Sequence, residues 1–220
     1  MSMRADDSDD DFEEHGRFAG GTTWLAHPEE PMQRASHVLD TDAGVFLVDP
    51  VDAPGTDELV AEFGEVAGVV LLLDRHERDS AAVATRHDVP VYRPSFLTRD
   101  VGVQTEPFSG MLPGTDYSLI RVLDTPVWHE AALFDGETLV VPEAVGTADF
   151  FRGADEQVGV HPMLRLTPPS ALRGLRPERV LVGHGHPVHE AATDSLRYAL
   201  EHSRRNAPGV LVNTLRNVLG

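Results

Sequence analysis

An α/β domain is the fold class the sequence predicts. Three observations carry it: strand-like and helix-like segments alternate along the chain, an unbroken aliphatic run of strand length sits at residues 69–73, and two aliphatic strands end alike, in short loops rich in polar side chains. The length of 220 residues is within the range of one domain, and a hydrophobic share of 41% is enough to build a proper core.

In chain order, residues 1–15 carry Asp6, Asp7, Asp9, Asp10, Asp11, Glu13 and Glu14 with almost no apolar side chain, which predicts a disordered acidic arm; residues 16–220 then form a single domain. Val38-Leu39 and residues 45–48 flank Thr41-Asp42-Ala43-Gly44 as a hairpin with Gly at its turn. Pro54-Gly55-Thr56 opens a short helix that ends near Gly64, with Thr56 as its cap. The run at 69–73 reads as a strand covered on both faces, and residues 80–87 as a helix capped by Asp79. Residues 89–92 are extended, and 94–114 are punctuated by Pro and Gly. Strands are expected at 117–123, 131–134, 139–141 and 180–182. Helices are expected at 193–205 and 210–219, separated by Pro208-Gly209. The last helix carries Leu211, Leu215, Val218 and Leu219 on one face, which suits packing on its own domain or on a second copy as a homodimer.

Composition excludes several functions. There are 36 acidic and 18 basic residues, a formal net charge of −18, with every basic residue an Arg and no Cys. A phosphate-neutralising surface needs clustered basic residues, so nucleic acid is not an expected partner. Disulfides and thiolate metal sites are ruled out, which leaves His, Asp and Glu as metal ligands. No apolar run approaches ~18–20 residues, and the N-terminus is acidic where a signal peptide is basic and then apolar; a cytoplasmic protein with no membrane partner is expected. Abundant carboxylates and absent Lys resemble the composition of salt-in halophile proteins, whose acidic surface works in concentrated salt.

The chemistry should lie at strand ends, where a rigid strand positions a variable loop. Leu71-Leu72-Leu73 runs into Asp74-Arg75-His76-Glu77-Arg78-Asp79, and Val180-Leu181-Val182 into Gly183-His184-Gly185-His186. His129, in Thr125-Pro126-Val127-Trp128-His129, and Glu143, in Val141-Pro142-Glu143, follow two other strands. Four such ends could converge on a metal.

These residues, in this order, resemble the metallo-β-lactamase superfamily over roughly residues 37–205. The resemblance implies a four-layer αββα sandwich with metals at strand ends on one rim. It places the family's Asp-Pro strand end at Phe46-Leu47-Val48-Asp49-Pro50, and its His-x-His-x-Asp-His motif at residues 74–79, where only His76 survives as histidine. His129, Glu143 and His184 match the later ligand positions. One metal, zinc or another divalent ion, is then expected on Asp74, His76 and His129, with Glu143 or His184 closing the shell. Arg78 stands where the second metal's carboxylate belongs, which makes a binuclear site electrostatically implausible. Arg78 could instead be a fixed cation that clamps an anionic substrate group; Asp79 and His186 are further candidates near the reacting centre.

Two functions follow: a metal-dependent hydrolase of an ester, thioester, phosphoester or lactone, or a non-catalytic protein that binds a ligand or partner on the same scaffold, with its site occupied by salt bridges. The other histidines, His161 among them, are read as surface or structural groups, and Gly183 and Gly185 as residues that allow a tight turn.

Overall fold

The computed structural model describes residues 12–219, with side chains over 12–208. The acidic arm lies outside the described residues as far as residue 11. Its last three positions, expected to be disordered, instead belong to β1 (Glu13–Phe18), which pairs antiparallel with β2 (Gly21–Leu25). Backbone pairing and the Arg17–Glu14 ion pair order a stretch whose side chains alone could not.

The first sheet continues through β3 (Ala35–Thr41), β4 (Gly44–Val48), β5 (Val66–Val70), β6 (Val91–Pro94) and β7 (Thr105–Phe108), in sequence order. The expected hairpin is β3–β4, closed where Thr41 faces Gly44. The short helix is α1 (Thr56–Ala61), but Gly55 takes the cap position at φ 94°, a left-handed conformation that favours glycine; Thr56 is buried as the first helical residue, and its hydroxyl accepts from Ala53 N–H at 3.2 Å. Helix α2 (Ser80–His87) follows the expected bounds. Asp79 precedes it without a capping bond, because its carboxylate accepts from Asp52 N–H at 2.9 Å.

The second sheet holds β8 (Ser118–Thr125), β9 (Trp128–Phe134), β10 (Thr138–Val141) and β13 (Arg179–Val182), in the order β13-β10-β9-β8. A two-stranded ribbon, β11 (Val145–Gly146) with β12 (Gly159–Val160), lies between β10 and β13 in the chain. The C-terminal segment is one helix, α3 (Ala192–Leu219), which runs through Pro208; the missing Pro N–H removes one helical bond without ending the helix. Among the described residues no helix is long and apolar enough to cross a membrane.

Period-two alternation explains the layers. In the first sheet, Val38, Val45, Leu47, Val69 and Leu71 pack with Leu59, Val60, Val83 and Ala84 of α1 and α2. Their neighbours Leu39, Phe46, Val48, Val70 and Leu72 face the other way and meet Leu133, Val140 and Leu181 between the sheets. Leu139, Val141, Val180 and Val182 then turn outward onto Leu196, Ala199 and Leu200 of α3. The result is a four-layer αββα sandwich. The aliphatic run explains itself here: Leu71, Leu72 and Leu73 extend beyond β5 toward the second sheet, where Leu72 O accepts from Ala131 N–H at 2.8 Å and Leu73 bridges Glu130. Both faces are covered, so no polar alternation is possible.

Candidate metal centre

The site lies where both sheets end on one rim. Strands β10 and β13 are parallel with Val141 opposite Val182, so Glu143 and His184, two residues further on, stand side by side. Gly183 makes this approach possible: a Cβ there would lie 2.2 Å from the Pro142 carbonyl oxygen and 3.1 Å from a carbon of the His76 ring. Close packing therefore demands that glycine. Gly185, at φ 96°, meets the turn expectation.

His76, Glu143 and His184, all buried, form the group of ligating side chains that the structure brings together, each offering an atom within 4.8 Å of the others. His76 Nε2 is 3.1 Å from His184 Nε2 and 3.7 Å from Glu143 Oε2. Each imidazole is fixed from behind: His76 Nδ1 lies 3.1 Å from Asp49 Oδ2, and His184 Nδ1 lies 2.9 Å from the Met32 carbonyl oxygen. A carbonyl can only accept, so His184 carries its proton on Nδ1 and turns the Nε2 lone pair toward His76. Burial holds His184 well below the ordinary histidine pKa, reinforced by His76 and Arg78.

A divalent metal fits this set. Tetrahedral bonds of ~2.0–2.1 Å put neighbouring donors ~3.3–3.4 Å apart, between the two observed separations, and two imidazoles with one carboxylate are a zinc-competent combination. The backing of each ring by a carboxylate or carbonyl is the arrangement that orients metal-bound histidines. Asp49, buried in the Asp-Pro strand end, also accepts Leu72 N–H at 3.1 Å, and burial pushes its carboxyl up to about 7 against the pull of Arg78.

The structure does not group Asp74 or His129 with these donors. His129 Nδ1 lies 2.8 Å from Asp124 Oδ1 on a partly exposed face, because successive residues of β9 point to opposite sides: Trp128 and Glu130 turn inward and His129 outward. Asp74 lies beside β9 with its N–H on the His129 carbonyl, and one carboxylate oxygen is buried with no partner among the described residues. His186 stacks edge-on against His15 at 4.2 Å, and Asp79 holds the loop at Asp52.

Arg78 is not free to clamp a substrate. Its guanidinium donates to the carbonyls of Ala35 (2.6 Å), Asp49 (2.8 Å) and Gly183 (2.8 Å), joining the ends of β3, β4 and β13. Burial lowers its pKa to about 10, opposed by Asp49, so it stays charged at neutral pH.

Three further side chains shape the site without having been singled out in the sequence. Arg75 donates from Nε to Glu143 Oε2 at 2.6 Å and lies 3.8 Å over the Trp128 ring. Glu130 accepts the N–H groups of Glu143 (2.8 Å), Ala144 (2.7 Å) and the Trp128 indole (2.6 Å), which fixes the turn that presents Glu143. Burial raises the Glu130 carboxyl to about 7. His161, buried against Trp128, Phe150 and Phe151, accepts Met163 N–H on Nδ1 at 3.2 Å and sets Nε2 3.7 Å from Glu143 Oε1. Burial, and then Arg75, push its pKa down to about 3, so the ring is neutral with its proton on Nε2.

An αββα sandwich with imidazoles and a carboxylate gathered at strand ends defines the metallo-β-lactamase fold. Solved structures of that fold superimpose on this chain. DIM-1 metallo-β-lactamase matches with a TM-score of 0.58 at 11% identity, over 90% of this chain and 96% of that one. FIM-1 from Pseudomonas aeruginosa, in its mono-zinc form, matches at 0.53 and 10% identity, over 90% and 95%. TTHA1623 in a di-iron-bound form matches at 0.51 and 21% identity, over 74% and 94%. No protein-family model and no curated protein matches the sequence.

Proposed function

We propose that the protein is a hydrolase working with one divalent metal, zinc first among the candidates, held by His76, Glu143 and His184. The observation that carries this reading is the pair of ring nitrogens facing each other at 3.1 Å, with each opposite nitrogen tied to an acceptor. Nitrogens at that distance need either a shared proton or a cation between them, and a divalent metal is the occupant that also engages Glu143. A metal there supplies Lewis acidity, which polarises a carbonyl or phosphoryl oxygen and activates water. The remaining work falls to the chain itself. Asp49 and the Met32 carbonyl orient the imidazoles, Trp128 and Phe151 exclude water, and His161 holds a proton on Nε2 facing Glu143. Arg78 fills the second-metal position with a fixed charge, which supports a mononuclear site. The reaction class is hydrolysis of an ester, thioester, phosphoester or lactone.

Metal analysis after zinc loading and dialysis tests the reading. About one equivalent is expected, falling below about a tenth in His184→Ala, with ester hydrolysis that follows zinc content. Wild-type protein that retains less than a tenth of an equivalent overturns it. The Arg75–Glu143 ion pair at 2.6 Å favours a second reading, a non-catalytic ligand-binding protein in which Glu143 is satisfied by Arg75; ligand would then bind to protein that retains no zinc and hydrolyses no ester.

A further inference from the structure

Arg75 stands apart from the rest of the rim. Its Nε is committed to Glu143 and its face to Trp128, yet its two terminal nitrogens have no acceptor among the described residues, and its side chain is 37% exposed. Arg78, by contrast, spends its head group on backbone carbonyls. In a chain of net charge −18, Arg75, paired through Nε with Glu143, thus leaves the outer nitrogens of a guanidinium open directly beside the ligating group. The apolar surface around it is equally specific. Trp128 and His161 meet at 4.8 Å, and the residues beside them, Val127 and Met163, are exposed by 82% and 73%. Exposed aliphatic side chains cost hydration, and here two of them stand close in the chain to the Trp128–His161 pair.

We propose that Arg75 is a specificity-determining residue that binds a negative group on the substrate, while the substrate's apolar part lies against the exposed side chains of Val127 and Met163. The preferred substrate class is therefore an amphiphilic anion: an ester-type compound that carries, apart from its reacting bond, a carboxylate or phosphate next to an apolar chain. The guanidinium offers its outer fork for a bidentate contact, and its stacking on Trp128 holds that fork in place at little entropic cost. The proposal rests on the hydrolase reading only for the identity of the reacting group; anion binding itself requires Arg75 and not the metal.

The test uses the full chain, zinc-loaded and chelator-treated, with two matched probes, 4-phenylbutyrate and 4-phenylbutanamide, measured by calorimetry. The carboxylate is expected to bind about tenfold or more tightly than the amide in both states. In Arg75→Gln the preference should collapse to about twofold or less, and in Arg75→Lys, which keeps the charge but loses the fork, it should be intermediate. Equal preference in wild type and Arg75→Gln overturns the proposal, as does failure of both probes to bind wild type at millimolar concentration. Zinc content measured on the same samples separates the two ideas. A preference in protein that fails to take up zinc sinks the metal reading and keeps the anion site; zinc uptake without an Arg75-dependent preference does the opposite.

Discussion

Replacing Arg78 with methionine removes a cation that binds no carboxylate directly and holds three strand ends together. The size of the effect follows from its contacts. Three charge-assisted bonds of 2.6 to 2.8 Å are lost, each worth roughly 1.5–3 kcal/mol when intact. Two of the three carbonyls keep another donor: Gly183 O retains Ala35 N–H at 3.0 Å, and Asp49 O retains the Ser36 hydroxyl at 3.0 Å. Removing an enclosed guanidinium also returns its desolvation cost. Against this, Arg78 sits at φ 45°, a left-handed conformation that methionine would have to hold without those bonds. The balance is a loss of about 2–4 kcal/mol, which at this chain length lowers Tm by roughly 5–15 °C. Urea titration with the slope held common gives the free energy directly. A loss under about 0.5 kcal/mol would falsify the view that Arg78 is the clasp between the sheets. Arg78→Lys separates charge from shape: one ammonium cannot reach all three carbonyls, so it should recover less than half of the loss.

Gly183→Ala places a methyl group against the Pro142 carbonyl at 2.2 Å, so the ends of β10 and β13 must separate; we expect zinc affinity to fall more than tenfold, and unchanged affinity in equilibrium dialysis would show that the contact does not set the site. Glu130 gives a pH signature. Its folded pKa of about 7 lies above the ordinary glutamate value of 4.5, so the folded state holds the extra proton between these values, and stability declines as pH rises through that window. The comparison with Glu130→Gln isolates this one group: wild type should lose about 3 kcal/mol relative to the variant between pH 4.5 and 7.5, and a pH-independent difference in urea unfolding would count against a buried proton.

What was legible in the sequence was whatever depends on local pattern. The runs at 45–48, 69–73, 139–141 and 180–182 show their burial directly, and a histidine just past such a run, such as His76 or His184, must lie on the rim because the strand carries it there. Parity was harder to see. Trp128, His129 and Glu130 are consecutive, and motif order alone favours the histidine. In a strand only alternate residues share a face, and the Trp128 indole bonded to Glu130 settles which two turn inward. Once His129 faces out, the ligand set has to be completed from elsewhere, and the parallel register of β10 with β13 supplies Glu143 beside His184. His161 was beyond local reasoning altogether, since it arrives from a Pro- and Gly-broken segment and acquires its place only by packing against Trp128 and Phe151. The same parity now bears on Arg75. It flanks His76 in the chain, and an inward Trp128 gives its guanidinium a face to lie on. The one-residue difference between Trp128 and His129 thus removes a ligand from the expected metal set and builds the platform for an anion beside it.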